Sequence, residues 1–466
     1  MDYRELLEST VDRAIEFLSG LNRRHVGARA SVEELRTLLK EGLPEDGKDP
    51  LKVLEELSYR VERGLVASAG PRYFGFVTGG VVPASLGADI LTSVWDQNGM
   101  FSASSPAAGV VEEVVSSWIL DLLDLPRETS VGFVTGCQMA NFTCLAAARH
   151  EVLRKAGWNV EERGLFGAPK ISVLVGEEAH ATVFTALRML GMGTSDIRII
   201  PSDSQGRIIP SEVDSAFQES RGPSILCIQA GNVNTGAFDP SHLLIPIARE
   251  HGAWVHLDGA FGIWGRLLPP LAGETMDMEL ADSWATDAHK WLNVPYDSGI
   301  AMVRNEAAHR ASMVLRGPYY IAAGDEIRDP SHWVPESSRR ARGFALYGCI
   351  SSLGRKGLKE IVENNCRQAR LMADLLEEDP GIEVLNEVVL NQVLVRFLPN
   401  NSTDVDSFTR KVTRMIQEEG TCWAGGSCWK GMAVMRISVS NWSTTDEDIT
   451  ISAQAIRRVL SRSIQL

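Results

Sequence analysis

Between residues 66 and about 310, short apolar runs rich in Val and Ile alternate with stretches of helical periodicity. Ile171–Val175, Ile197–Ile200, Ile225–Gln229, Ala253–Leu257 and Gly299–Val303 are nearly continuous in apolar residues. Strands buried on both faces read this way, whereas half-exposed strands alternate. Helical patterns such as His242–His251 lie between them. The alternation predicts an α/β fold, with a mostly parallel sheet covered by helices on both faces. Ligands of such sheets bind at the carboxyl ends of the strands.

The flanking regions read differently. Residues 1 to about 65 predict helices: Ser31-Val-Glu-Glu34 is a capping box ahead of Leu35, Leu38 and Leu39, and Glu41–Pro50 is a loop before a helix from Leu51 to Leu65. Tyr319–Arg342, with Gly324, Pro330 and Pro335, predicts a long polar loop that is mobile and closes over a site. A long helix from Phe344 to Leu376 follows. Then the strands Ile382–Leu385, Gln392–Phe397 and Val434–Val439 alternate with a helix over Asp404–Glu419. The expected organisation is a helical segment over 1–65, a large domain over 66–343 and a small α+β domain over 344–466.

Charge narrows the function. The chain carries 46 Lys+Arg against 60 Asp+Glu, a formal net charge of −14, which argues against nucleic acid or an anionic membrane as partner. A phosphate must therefore be held by a local device. The seven cysteines are odd in number and form no CxxC, so free thiols in a reducing cytoplasmic compartment are expected. Met1-Asp-Tyr-Arg-Glu5 has no signal-peptide apolar core, and no apolar run reaches membrane-spanning length.

Four strings carry candidate chemistry. In Thr286-Asp-Ala-His-Lys-Trp-Leu292, Lys290 has apolar neighbours. It is either a snorkelling surface lysine or an amine whose environment disfavours its charge, as Schiff-base chemistry requires. In Trp254-Val-His-Leu-Asp-Gly-Ala260, Asp258 follows an apolar strand. It is either a helix cap or a carboxylate that needs a cationic partner. Phe133-Val-Thr-Gly-Cys-Gln138 leads from a strand through Gly136 into an Ala-rich helix. This is either an ordinary turn or a phosphate seat made of backbone N–H groups. His180, in Glu177-Glu-Ala-His180, is a cap residue or a ring that stacks on a planar cofactor, and its spacing matches no metal-site pattern. One cofactor, pyridoxal 5'-phosphate, uses all four features: an anion site, a ring platform, a pyridinium partner and a Schiff-base lysine.

Together with Pro71-Arg-Tyr-Phe-Gly75, Ser104-Ser-Pro106, Thr135-Gly-Cys-Gln138 and Asn232, these strings make the chain resemble the group II pyridoxal-phosphate-dependent amino-acid decarboxylases. That family includes the aromatic-amino-acid, glutamate and histidine decarboxylases. The resemblance implies the type I fold: a helical N-terminal segment, a seven-stranded large domain and a small C-terminal domain, in a homodimer. It implies a carboxy-lyase that removes the α-carboxylate of an amino acid as CO₂. Lys290 would hold the cofactor as a Schiff base, Asp258 would pair with the pyridinium nitrogen, His180 would stack on the ring and Ala260 would touch its other face. Gly136, Cys137 and Gln138 would hold the phosphate with His289 and Thr286, and Asn232 would contact the cofactor near its hydroxyl. Phe76, Val77 and Phe101 match positions lining the family's substrate pocket and suggest an apolar or aromatic amino acid. Phe101–Pro106 matches a segment that reaches the neighbouring subunit.

Three departures from the family stand out. Cys137 and Gln138 replace usually small residues. Asp287 stands where Asn is common, which sets a negative charge beside the phosphate seat. No tyrosine lies between Ile321 and Trp333, where family decarboxylases carry one that protonates the product carbon; Tyr319 and Tyr320 lie just before, and His332 lies within. The competing expectations are another enzyme of this fold (an aminotransferase, a carbon–carbon lyase or a decarboxylating oxidative deaminase) and a silent relative that binds a partner. The histidine at the stacking position and the intact Lys290 and Asp258 favour the decarboxylase, while Arg436 leaves the aminotransferase criterion of a small-domain arginine open.

Overall fold

The computed structural model describes residues 3–315, 328–400 and 404–465. It divides into two compact units, Gly79–Ala369 with Asn386–Gln392, and Met1–Thr78 with Arg370–Leu385 and Val393–Leu466.

The first unit is built on seven strands: β1 (Ser130–Val134), β2 (Ser172–Gly176), β3 (Arg198–Ile200), β4 (Ser224–Gln229), β5 (Trp254–Asp258), β6 (Ser283–Asp287) and β7 (Gly299–Val303). Their order across the sheet is β1-β7-β6-β5-β4-β2-β3. β7 runs antiparallel to both β1 and β6, and the other neighbours are parallel. Every residue of β4, β5, β6 and β7 is buried, which is why β4, β5 and β7 read as nearly continuous apolar runs, whereas β6, Ser-Trp-Ala-Thr-Asp, is buried with three polar side chains. The helix Cys137–Lys155 packs on the sheet through small side chains, with Ala140, Ala146, Ala147 and Ala148 buried. Alanine lets a helix backbone approach a sheet closely, so this helix brings its first turn down onto the strand ends.

The predicted polar loop is firmly held where it is described. Asp329 accepts the Ser102 backbone N–H at 2.9 Å, and the Ser102 hydroxyl donates to the Arg328 carbonyl at 2.8 Å. Arg339 forms a fully buried ion pair with Glu112 at 2.6 Å. Trp333, Val334 and Ala341 are buried as well. The expectation of mobility therefore fails for residues 328–342: three buried charges and three buried apolar residues pin them. Tyr319, Tyr320 and Gly324 lie outside the described residues.

The second unit carries a sheet of β8 (Ile382–Val384), β9 (Gln392–Phe397), β10 (Gly425–Trp429) and β11 (Met432–Ser438), in the order β10-β11-β9-β8. The sequence pattern does not predict β10, because Gly425-Gly426-Ser427 carries no apolar signal. The strand forms because Lys430 and Gly431, at φ 46° and 80°, make a two-residue left-handed turn that folds it antiparallel onto β11. The N-terminal helices Tyr3–Gly20, Val32–Leu39 and Pro50–Val61 contain no buried residue, and the Ser31–Glu34 capping box is formed in both directions.

Candidate active site

The site lies at the carboxyl ends of β5 and β6, where the helix Cys137–Lys155 begins. Gly299, the first residue of β7, pairs with Val134 on one side and Asp287 on the other. A side chain on Gly299 would collide with the backbone of Gly136, so glycine here lets the turn after β1 settle beside the end of β6. Gly79 plays the same part on the other flank: a Cβ there would strike the Lys290 carbonyl.

Asp287 is the centre of the charged cluster. It is buried, with one carboxylate oxygen accepting the Cys137 N–H at 2.6 Å and the other 3.1 Å from Lys290 Nζ. His289 Nδ1 lies 3.5 Å from the first oxygen and 3.3 Å from the Ser298 carbonyl, and its ring stacks on Tyr296. Burial, the largest single influence, pushes the Lys290 ammonium towards the neutral form, but Asp287, Cys137 and Asp258 together outweigh it and the net direction is up. This corrects the reading of Lys290 from its sequence neighbours. Ala288, Trp291 and Leu292 are apolar, yet the amine itself meets a carboxylate three residues back. Lys290 is also no snorkelling surface residue, since its side chain is 16% exposed. Burial lowers His289 and raises the Cys137 thiol, which Asp258 raises further.

Asp258 ends β5 and receives donors on both oxygens. Oδ1 accepts the Ala260 N–H at 3.1 Å and faces Cys137 Sγ at 3.5 Å, and Oδ2 accepts Asn141 Nδ2–H at 3.2 Å. The 3₁₀ turn that follows starts at Gly262 without a side-chain cap, so Asp258 is not a helix N-cap. His180 does cap a helix, Ala181–Met189: its Nδ1 accepts the Thr182 N–H and lies 2.8 Å from the Thr182 hydroxyl. The His180 ring remains exposed, and His180 and Asp258 line one small cleft with Gly176 and Ala179.

The remaining candidate residues fall less centrally. Gln138 is on the first helical turn, next to Cys137. The Thr286 hydroxyl accepts Trp264 Nε1–H at 3.1 Å and donates to the Ala260 carbonyl at 3.3 Å, so it braces the Ala260 loop. Asn232 donates to the Glu178 carbonyl and accepts from the backbone of Asn234 and Thr235. Phe101 sits in the turn Phe101–Ser105, anchored through Ser102 to Arg328 and Asp329. Phe76 and Val77 belong to the second unit, where Phe76 packs on Trp423 and Val77 is buried. His332 lines a separate cleft of about 470 Å³ with Ser116, Arg310, Arg328 and Trp333. No group of three His, Cys, Asp or Glu side chains among the described residues is placed to hold a metal.

The residues behind Asp258 form no motif of their own in the sequence. Asn141 is one turn beyond Cys137 on the same helix, and His256 is two residues before Asp258 on the same strand face. A polar residue at those spacings, in an Ala-rich helix and in an apolar strand, was the available signal.

Known proteins share this architecture. The chain is 26% identical over 460 residues to an aromatic-L-amino-acid decarboxylase of Bacillus atrophaeus, covering 96% of this chain and 93% of the relative. It is 24% identical to a phenylacetaldehyde synthase of a Rosa hybrid cultivar, covering 96% and 92%. A crystal structure of Oryza sativa TDC with PLP and tryptamine superposes with a TM-score of 0.91 at 22% identity, covering 99% of this chain and 98% of that one, which shows a common fold. Residues 33–398, most of the chain, match the family model described as the pyridoxal-dependent decarboxylase conserved domain, and the chain thus belongs to the pyridoxal-dependent decarboxylase family.

Proposed function

We propose that this decarboxylase acts on an aromatic amino acid, with Lys290, Asp258, His180 and the Gly136–Gln138 turn forming its cofactor shell. The observation that carries the reading is the convergence of a buried lysine, a strand-end carboxylate and a helix N-terminus at the carboxyl ends of adjacent strands. The residues suit pyridoxal phosphate. An anion, the Asp287 carboxylate, already rests on the Cys137 N–H, and a Cβ on Gly136 would project towards that same point. Asp258 keeps acceptor capacity on Oδ2 for a ring N–H.

When bound, the cofactor supplies an electron sink for the pair left behind as the carboxylate departs as CO₂. The chain does the rest. Lys290 Nζ is the amine that holds the cofactor covalently. Asp258 holds a proton at the ring nitrogen. His180 offers its exposed imidazole face to the ring, and the Ala260 methyl bounds the opposite side. Gln138 offers its backbone N–H to the phosphate next to His289, and Cys137 lines the same seat, its own N–H donating to Asp287. The aromatic assignment follows the substrate named for the Bacillus relative.

The active form is a homodimer on this reading. Leu7, Val11, Ile15 and Leu18 form an exposed apolar stripe on the first helix, and Ile90, Leu91, Val94 and Trp95 form another on the helix Pro83–Trp95. Faces of this kind call for a partner. Light scattering should give twice the 51.0 kDa chain mass. A cytoplasmic location is supported by the seven cysteines, six of which are buried. Among the described residues no helix is long and apolar enough to cross a membrane.

A second reading, decarboxylation with oxidative deamination to an aldehyde, is favoured by the Rosa relative's name and by the absence of tyrosine between Ile321 and Trp333. Incubation with each of the twenty amino acids, under air and under nitrogen, decides the matter by following CO₂, amine, aldehyde and keto acid separately. Keto acid without CO₂ would refute both readings.

A further inference from the structure

Behind Asp258 a chain of buried polar side chains runs through the core of the first unit. Trp254 Nε1–H donates to Ser283 Oγ at 2.9 Å, and Ser283 Oγ is 3.0 Å from His256 Nδ1. His256 Nε2 is 2.9 Å from Asn141 Oδ1, and Asn141 Nδ2 donates to Asp258 Oδ2 at 3.2 Å. Asn141, His256 and Ser283 have no exposed surface, and Trp254 is 4% exposed.

The direction of every bond in this chain is fixed by its two ends. Indole nitrogen is a donor only, and a carboxylate is an acceptor only. At the Trp254 end Ser283 Oγ accepts the indole N–H, and at the Asp258 end the Asn141 NH₂ must donate. That leaves Asn141 Oδ1 to accept from His256 Nε2–H, and His256 Nδ1 to accept the Ser283 hydroxyl proton. The second amide hydrogen points towards Thr182 Oγ1 at 3.4 Å, and the Thr182 hydroxyl reaches His180 Nδ1 at 2.8 Å. Burial drives His256 down to about 4, so the imidazole stays neutral in this arrangement at working pH. Reversing the chain would leave Ser283 accepting from both Trp254 and His256, with its own proton undirected.

We propose that Trp254, Ser283, His256 and Asn141 act as a positioning relay that presents Asp258 to the cofactor's ring nitrogen as an acceptor only, so that the ring rather than Asp258 carries the shared proton. Asn141 is the hub, because it also orients the Thr182–His180 pair on the other side of the ring position. The inference rests on the placement of Asp258 at the ring nitrogen proposed above. It assigns to three buried polar residues outside the cofactor shell, and to the indole of Trp254, a role beyond packing.

The test is NMR of holoenzyme carrying cofactor isotopically labelled at the ring nitrogen, together with the cofactor dissociation constant. Wild type should show the protonated-nitrogen resonance, and Asp258→Asn should lose it; if either fails, the placement of Asp258 itself is wrong. With both satisfied, Asn141→Leu should move the resonance towards the unprotonated position. It should also weaken cofactor binding and lower kcat about 10- to 100-fold, with KM little changed. Should Asn141→Leu fail to fold, Ser283→Ala, a loss of one oxygen, tests the far end of the chain: it should move the same resonance in the same direction by a smaller amount. His256→Phe should lie between them. An unshifted resonance in the folded relay variants, with wild type and Asp258→Asn behaving as stated, would overturn the relay alone and leave these residues with a packing role.

Discussion

Asp287→Asn isolates the charge that the structure sets beside Lys290. The amide keeps the volume and leaves an oxygen for the Cys137 N–H, so the substitution removes charge and little else. A unit pair separated by 3.1 Å is worth about 5 kcal/mol at an effective dielectric of about 20. Asp287 is buried and Lys290 is only 16% exposed, so solvent screens the pair in part. Part of the loss is recovered because Lys290 can shed its proton once the partner is gone, and a net cost to the cofactor-free protein of about 3 kcal/mol is expected. The sign for the amine follows. Asp287 raises Lys290 against the downward pull of burial, so its removal lowers Lys290 and exposes more neutral, nucleophilic amine at neutral pH. The variant should melt earlier without cofactor and capture pyridoxal phosphate faster. It should also gain more stability from saturating cofactor than wild type does. Stopped-flow absorbance of cofactor capture against pH, paired with melting of cofactor-free and loaded protein, measures all three. Capture no faster than wild type from mildly acid to mildly alkaline pH, with unchanged cofactor-free stability, would refute the argument. The pair's own contribution is full below the ordinary lysine pKa of about 10.4 and fades as pH rises beyond the raised value in the folded protein.

Other outcomes follow from the same geometry. Borohydride reduction should fix the cofactor to Lys290, and Lys290→Ala should lose both the adduct and the visible absorption band; peptide mapping to another lysine would refute the assignment. Glu112→Gln leaves Arg339 and Arg328 buried without their carboxylate and should cost about 3–5 kcal/mol by urea denaturation. Because His332 lines the Arg310–Arg328 cleft, His332→Phe should leave the ratio of amine to aldehyde unchanged in product analysis under air.

The parts of this molecule that were legible in sequence are those whose burial is uniform. β4, β5 and β7 are buried along their whole length, and their apolar runs mark them to within a residue or two. β10 was hidden because an edge strand of glycine and serine is specified by its turn and its partner rather than by its own pattern. The same contrast holds at the site. Asp258 and Lys290 stand out as charges next to apolar runs, but the pairing of Lys290 with Asp287 is set by the backbone course after β6, which neighbouring residue types do not reveal. Asn141 and His256 escaped notice because their role appears only when a helix and a strand 115 positions apart are brought together.

The position of β7 has a consequence for how the protein comes into being. Although it is the last of the seven strands in the chain, it is inserted between β1 and β6, and its first residue fills the gap against which the Gly136 turn rests. A nascent chain can have synthesised Lys290, Asp258 and the whole Cys137 helix and still lack the surface that holds them in register. Loop closure over so long a span is slow, and the sheet edges of β1 and β6 stay open until it happens. Cofactor capture is then a report on completed folding. A supply of pyridoxal phosphate during synthesis should raise the yield of soluble enzyme by trapping chains in which β7 has been inserted.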